Sequence, residues 1–272
     1  MIPCQRWLPA VLVLMMIAPA VSSQTTEEGI DPEALIDQIL LVDKAQRDAI
    51  SDLVMDAELV EGKRDENGEL QEKERFIKKI YIKYLKDTTL YHEEYLEYYK
   101  NGELQDQKEL KKQARERAEQ RRKRHTRNVA FPMLSPFYKE NRDKYQIDYV
   151  GVAPEKINGL VCHRFTVTAK VEGPDMINGD YYFDAEGFHL VQVDFQPAKL
   201  TKKLMFRLSQ LDMSVTYQPV IDDYWLPVRF EIQGKGRAAL LFGVNFAAVE
   251  YYTNHQINVG LDMAMFEVED GK

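Results

Sequence analysis

Five histidines, one internal cysteine and a few paired acids are the residues of this chain that could do chemistry. His163, His189 and His255 fall in a region of strand pattern. Converging with a carboxylate, they could form a general acid–base site. None of the five (His92 and His125 are the others) stands at a metal spacing such as HxxxH or HxH, so each reads as an isolated surface or core histidine. Cys162 has no base beside it to activate the thiol and reads as a small strand residue. Adjacent side chains on a strand face opposite ways, so Asp222-Asp223, Glu93-Glu94 and Glu27-Glu28 make poor acid–base pairs. Asp222-Asp223, between Pro219 and Trp225-Leu226-Pro227, suits a hairpin turn. GxSxG, P-loop, GxGxxG and HExxH motifs are absent, and Gly234-Lys235-Gly236 reads as a turn between two strands. No catalytic residue, metal or cofactor is assigned on these grounds, and the expectation is a protein without enzymatic activity.

The elements that would position such residues are mostly strands. Between Tyr145 and Ile257 apolar and polar residues alternate, as in Val161, His163, Phe165, Val167 and in Val228, Phe230, Ile232. Asn158-Gly159, Asn178-Gly179, Asp184-Ala185-Glu186-Gly187, Pro219 and Asp222-Asp223 read as turn signals. The expected later strands are 145–150, 160–171, 179–184, 188–195, 203–208, 213–218, 225–233, 238–246 and 249–259. Three earlier ones are expected at 53–61, 74–85 and 88–100, although Glu93, Glu94 and Glu97 would also suit a helix over 91–100. About twelve strands in one antiparallel sheet must curl. The expected fold is mainly β (α+β): a curved antiparallel half-barrel with an N-terminal helix and a basic helical excursion. The six residues Phe165, Val193, Phe195, Val228, Phe230 and Ile232 are the candidates for an apolar concave face that binds a ligand.

The N-terminal helix is expected from Asp31, where Asp31 caps, Pro32 takes the first position and Leu35, Ile36, Ile39, Leu40 and Val42 form one face. Before it, Arg6, the apolar run Trp7–Ile17 and the small residues Ala18 to Ser23 give the pattern of a signal peptide over 1–23. Export would remove Cys4 and leave Cys162 alone, without an internal disulfide. Residues 24–272 then form a single domain, expected to be soluble and periplasmic. Its formal charge, -8 for the full chain, argues against whole-molecule nucleic-acid binding.

The segment 105–127 breaks the β pattern. From Lys108 to Arg127 it holds ten Lys or Arg against three Glu, with no Gly or Pro, and reads as a helix with almost no apolar face, too polar to pack deeply. Lys111, Arg115, Arg121, Arg122 and Arg124 are the candidates for contact with anionic lipid headgroups or with an acidic envelope protein. The proline-broken run Phe131-Pro132-Met133-Leu134-Ser135-Pro136-Phe137 is expected to tuck onto the sheet or rim its opening.

A resemblance adds to this. Tyr149-Val150-Gly151, Ile157 to Phe165, Tyr181-Tyr182-Phe183-Asp184-Ala185-Glu186-Gly187-Phe188, then Tyr217 and Tyr224-Trp225-Leu226-Pro227-Val228-Arg229-Phe230 resemble the bacterial outer-membrane lipoprotein-sorting proteins. These are the periplasmic carriers LolA and LolB and the regulator RseB. The resemblance covers roughly 145–260 and more loosely 31–100. It implies a half-barrel closed by helices around a cavity for acyl chains, and so a lipid- or lipoprotein-binding carrier. An RseB-like sensor or protein-interaction module is the alternative, with the basic excursion as its docking element. The length of the chain and that excursion depart from the family pattern, and no family site residue is carried over.

Overall fold

The computed structural model describes residues 30–86, 88–123, 133–173, 176–200, 202–203, 206–238 and 242–266. The signal-peptide reading of 1–23 and Arg124 lie outside them, as do the side chains of Arg121 and Arg122.

Helix α1 (Pro32–Ala49) begins at a proline, has Glu33 in its first turn and Arg47 in its last, and buries Leu35, Ile36 and Ile39. These charges suit the two ends of the helix dipole. The strands are β1 (Asp52–Arg64), β2 (Leu70–Tyr84), β3 (Thr89–Lys100), β4 (Glu103–Leu104), β5 (Tyr145–Val152), β6 (Cys162–Ala169), β7 (Ile177–Asp184), β8 (Leu190–Pro197), β9 (Lys202–Lys203), β10 (Phe206–Ile221), β11 (Tyr224–Ala238) and β12 (Phe242–Ile257). Helix α2 (Gln107–Lys123) follows β4, and the short α3 (Lys139–Arg142) precedes β5. Residues 91–100 are therefore strand.

All strand pairs are antiparallel, in the order β4-β3-β2-β1-β12-β11-β10-β8-β7-β6-β5, with β9 beside β10. The sheet is an open, curved half-barrel whose ends are β4 and β5. One cross-strand row runs through its ten long strands: Tyr149, Phe165, Tyr181, Val193, Val215, Phe230, Glu250, Leu59, Phe76, Tyr98. Residues directly opposite point the same way, so this row marks one continuous face. Both long helices cover it. α1 and the 133–138 segment pack over Phe165, Tyr181, Phe183 and Val193. α2 packs over Phe76 and Tyr98. The central patch between them holds Met55, Ala57, Ile80, Ile82 and Tyr252.

The first long strand is sealed to the last. Buried Asp52 accepts hydrogen bonds from the backbone N–H groups of Val259 (2.7 Å), Gly260 (3.1 Å) and Leu261 (3.2 Å), just beyond β12.

Three turn readings are corrected. Asn178-Gly179 lies inside β7, where a Cβ on Gly179 would come within 2.5 Å of Asp194 O and 2.8 Å of Phe195 Cβ. The glycine marks a close strand approach rather than a bend. Gly234-Lys235-Gly236 lies inside β11, where the Phe246 ring covers Gly234 and a Cβ there would meet Phe246 Cζ at 2.4 Å. Pro219 sits at a register shift inside β10, which joins the expected strand 213–218 to residues 206–208 of the one expected at 203–208, while Lys203 belongs to β9. A bulge is one of the few places a strand accepts proline.

The basic excursion is also corrected. It is helical, but Leu110 is buried against Phe76 and Tyr98, and Arg117 bonds Glu61. One leucine and one neutralised arginine suffice as a packing face.

Candidate ligand cavity

A cavity of about 770 Å³ opens between α1, the 133–138 segment, the β2–β3 and β7–β8 turns and the start of β11. That volume is within the ordinary range for small-molecule sites. Its walls include Ile39 and Val42 of α1, Leu53, Leu134, Leu190 and Leu226. The roof is held by polar clasps. Gln46 donates to the carbonyl of Trp225 (2.9 Å) and accepts from its N–H (2.8 Å). Tyr138 donates its hydroxyl to Asp43 (2.7 Å), and Arg47 Nε donates to the same carboxylate (2.8 Å).

The 133–138 segment forms one side because Phe137 is driven inward. It is fully buried and meets Phe165, Tyr181 and Phe183 edge-on at 5.8, 5.0 and 5.6 Å. The β7–β8 turn forms another. Gly187 N–H donates to the Asp184 carboxylate (2.6 Å), and Phe188 is held at φ 59°, an unusual conformation for a bulky residue. The turn presents Phe188 and His189 to the cavity. His189 stacks on Trp225 with ring centres 5.2 Å apart. Burial lowers its pKa below the usual histidine value, against the opposing pull of Asp184 and Asp223.

Two tyrosines complete the lining: Tyr84 at the end of β2 and Tyr217 on β10. Neither hydroxyl has a hydrogen-bond partner among the described residues. Burial pushes the Tyr84 phenol up to about 12 and the Tyr217 phenol well above its ordinary value. Tyr217 lies within electrostatic reach of Tyr181, Tyr84 and Asp43.

A second hollow of about 670 Å³ lies on the opposite, open face of the sheet. The row Thr166, Asp180, Asp194, Ser214, Glu231 lines it. Its carboxylates are already engaged: Asp180 by Arg164 and Thr166, Asp194 by Gln192 and Ser214, Glu231 by Arg64. Its carboxylates are satisfied by neighbouring side chains, unlike the Tyr84 and Tyr217 hydroxyls in the cavity under α1.

The residues singled out from the sequence fall in several places. Phe165 and Val193 are fully buried in the core beneath α1, with Phe195 packed partly buried beside them. Phe230 flanks the central patch, Ile232 lines the open-face hollow, and Val228 is half-buried. None of the six lines the cavity under α1. Lys111 and Arg115 are exposed on α2. The three central histidines have separate partners. His163 Nδ1 lies 3.0 Å from the Tyr149 hydroxyl, His189 stacks on Trp225, and His255 Nε2 lies 2.9 Å from the carbonyl of Pro227. Cys162 is buried, its thiol pushed up to about 11 by desolvation.

Sequence reasoning passed over one internal site. Lys78 Nζ, buried on the helix-covered face, lies 2.7 Å from Glu93 and 2.6 Å from Glu250. Tyr95 donates to Glu93 (2.7 Å) and Tyr252 to Glu250 (3.0 Å). Burial alone would lower the lysine pKa, but Glu250 and Glu93 together raise it. Lys78 precedes Lys79 in a strand rich in charge, and that context hides a buried lysine.

No protein-family model matches the chain, and no curated protein matches it. Solved structures do. A DUF1329 family protein from Desulfovibrio piger is 15% identical with a TM-score of 0.47, over 88% of this chain and 98% of that one. A putative outer membrane lipoprotein-sorting protein domain from Vibrio parahaemolyticus is 13% identical with a TM-score of 0.45, over 85% and 95%. A LolA superfamily protein from Nitrosomonas europaea is 7% identical with a TM-score of 0.37, over 88% and 99%. Likeness at these levels leaves function to the geometry of this chain.

Proposed function

We propose that this protein is a non-catalytic carrier that holds an acyl chain, free or attached to a lipoprotein, in the cavity under α1. The observation that carries the reading is that cavity itself, about 770 Å³ between helix and sheet, with an apolar part of its wall formed by Ile39, Val42, Leu53, Leu134, Leu190 and Leu226. The signal-like N-terminus fits a carrier working in the cell envelope, with the periplasm as its compartment.

Affinity would come from buried area, about 0.8 kcal/mol per methylene. Along a series of linear alcohols each added pair of carbons should therefore tighten binding roughly tenfold until the cavity is full. The test is displacement of N-phenyl-1-naphthylamine, an apolar fluorescent probe, in wild type and in Leu226→Arg. Chain-length-dependent displacement, lost in the variant, supports the reading. No probe uptake, or uptake indifferent to chain length and to Leu226, overturns it.

A further inference from the structure

We propose that the outer stripe of α2 is an electrostatic docking face for anionic lipid headgroups. Ten of the chain's 36 Lys and Arg fall between residues 108 and 127, against three of its 44 Asp and Glu. The charge of this acidic chain is therefore reversed over one short stretch. α2 divides that stretch between two sides. The inner side is neutralised: Leu110 is buried, and Arg117 is bound to Glu61 and lies 3.9 Å from Glu74. The outer side is not. Lys108, Lys111, Lys112 and Arg115 stand at i, i+3, i+4, i+7 spacing, which places them on one stripe of the helix, and all four are exposed. Among the described residues only Lys112 of these has an ion-pair partner, Glu109 at 3.2 Å. Glu116 and Glu119 are the acids exposed on the helix. Arg121, Arg122 and Lys123 then complete it.

The stripe fits a lipid surface better than a protein. A protein interface takes most of its affinity from large side chains seated in pockets. Up to Gln120 every exposed residue of α2 is Lys, Arg, Glu or Gln, and neither cavity described above includes a residue of the helix. An anionic bilayer needs no pocket, because its surface potential attracts each Lys or Arg that comes near it. With Leu110 turned to the sheet, the helix has no apolar face to insert and rests on the headgroups. The inference is independent of the acyl-binding reading, since no residue of α2 lines that cavity.

The test is co-sedimentation of protein made from residue 24 onward with two kinds of vesicle: phosphatidylcholine alone, and phosphatidylcholine with roughly one-third phosphatidylglycerol. At low salt the anionic vesicles should bind it at least about tenfold more tightly than the neutral ones. That binding should vanish in about 1 M salt, where charges are screened within about 3 Å. Lys108→Gln, Lys111→Gln and Arg115→Gln together should weaken it about a hundredfold, roughly fivefold per cation. Arg207→Gln, Lys235→Gln and Arg237→Gln remove the same charge from exposed positions of β10 and β11 and should leave binding close to that of wild type. Equal binding to neutral vesicles, indifference to salt, or equal losses in the two triple variants would each overturn the inference. Absence of binding to the anionic vesicles would overturn it too, and would leave an acidic protein as the partner suited to the helix.

Discussion

The guanidinium of Arg117 lies 4.0 Å from the centre of the Phe76 ring while its terminal nitrogens grip the carboxylate of Glu61. One side chain thus joins α2 to β1 and β2 through a cation–π contact and a forked ion pair together. Lysine offers no such fork. Arg117→Ala should lower stability by about 1–3 kcal/mol, with faster amide exchange confined to α2. Arg117→Lys should recover less than half of the loss. Unchanged exchange over residues 107–120 would show that Leu110 alone docks the helix.

Lys78 neutralises two buried carboxylates, so its removal should cost far more than a surface pair is worth. Lys78→Met is expected to destabilise by about 3–5 kcal/mol in urea unfolding. The deficit should shrink as the pH is lowered, because protonated Glu93 and Glu250 no longer need the ammonium. Adding Glu93→Gln to Lys78→Met should restore part of the stability, since it removes one of the uncompensated charges.

Alkaline pH should unfold the protein in a characteristic window. Burial raises the phenols of Tyr84, Tyr217 and Tyr252 above their ordinary value of 10, that of Tyr84 to about 12. The unfolded chain then loses protons first. Stability present below pH 10 should fall as the pH rises from 10 toward 12. Tyr84→Phe and Tyr217→Phe should each flatten that fall, measured as the denaturant midpoint against pH.

Trp225 reports on the cavity. The chain has two tryptophans, and Trp7 belongs to the signal-like segment, so protein made from residue 24 onward carries one. His189 stacked on Trp225 should quench its emission when protonated. Because burial depresses His189, the midpoint of that change should lie below the ordinary histidine value of about 6.5. His189→Phe should keep the stack and abolish the titration. The same emission should shift when an alkyl ligand enters.

Much of the architecture is visible in residue pattern alone, because alternation and turn chemistry are local. The helix starting at Pro32, the turn at Asp222-Asp223 and the inward tuck of Leu134 and Phe137 follow from neighbours in the chain. What escapes is set by distant strands. Gly179 and Gly234 look like turn residues until Phe195 and Phe246 are known to press on them. The alternation that makes Phe165 and Val193 apolar identifies a buried face, yet it cannot tell a filled core from a cavity wall. Tyr84 and Tyr217 are far apart in sequence and line one cavity only because β2 and β10 both reach it.

The pairing of β1 with β12 also sets a schedule. A chain emerging from the ribosome can fold its first hairpins early. The free edge of β1 must wait for residues 242–257, and Asp52 for the three amides beyond them. Until then the sheet has an open seam at its centre, and closing it joins partners nearly the whole domain apart, a slow step by its nature. A chain still being made is therefore incompletely folded, which is the form in which a polypeptide threads through a membrane channel.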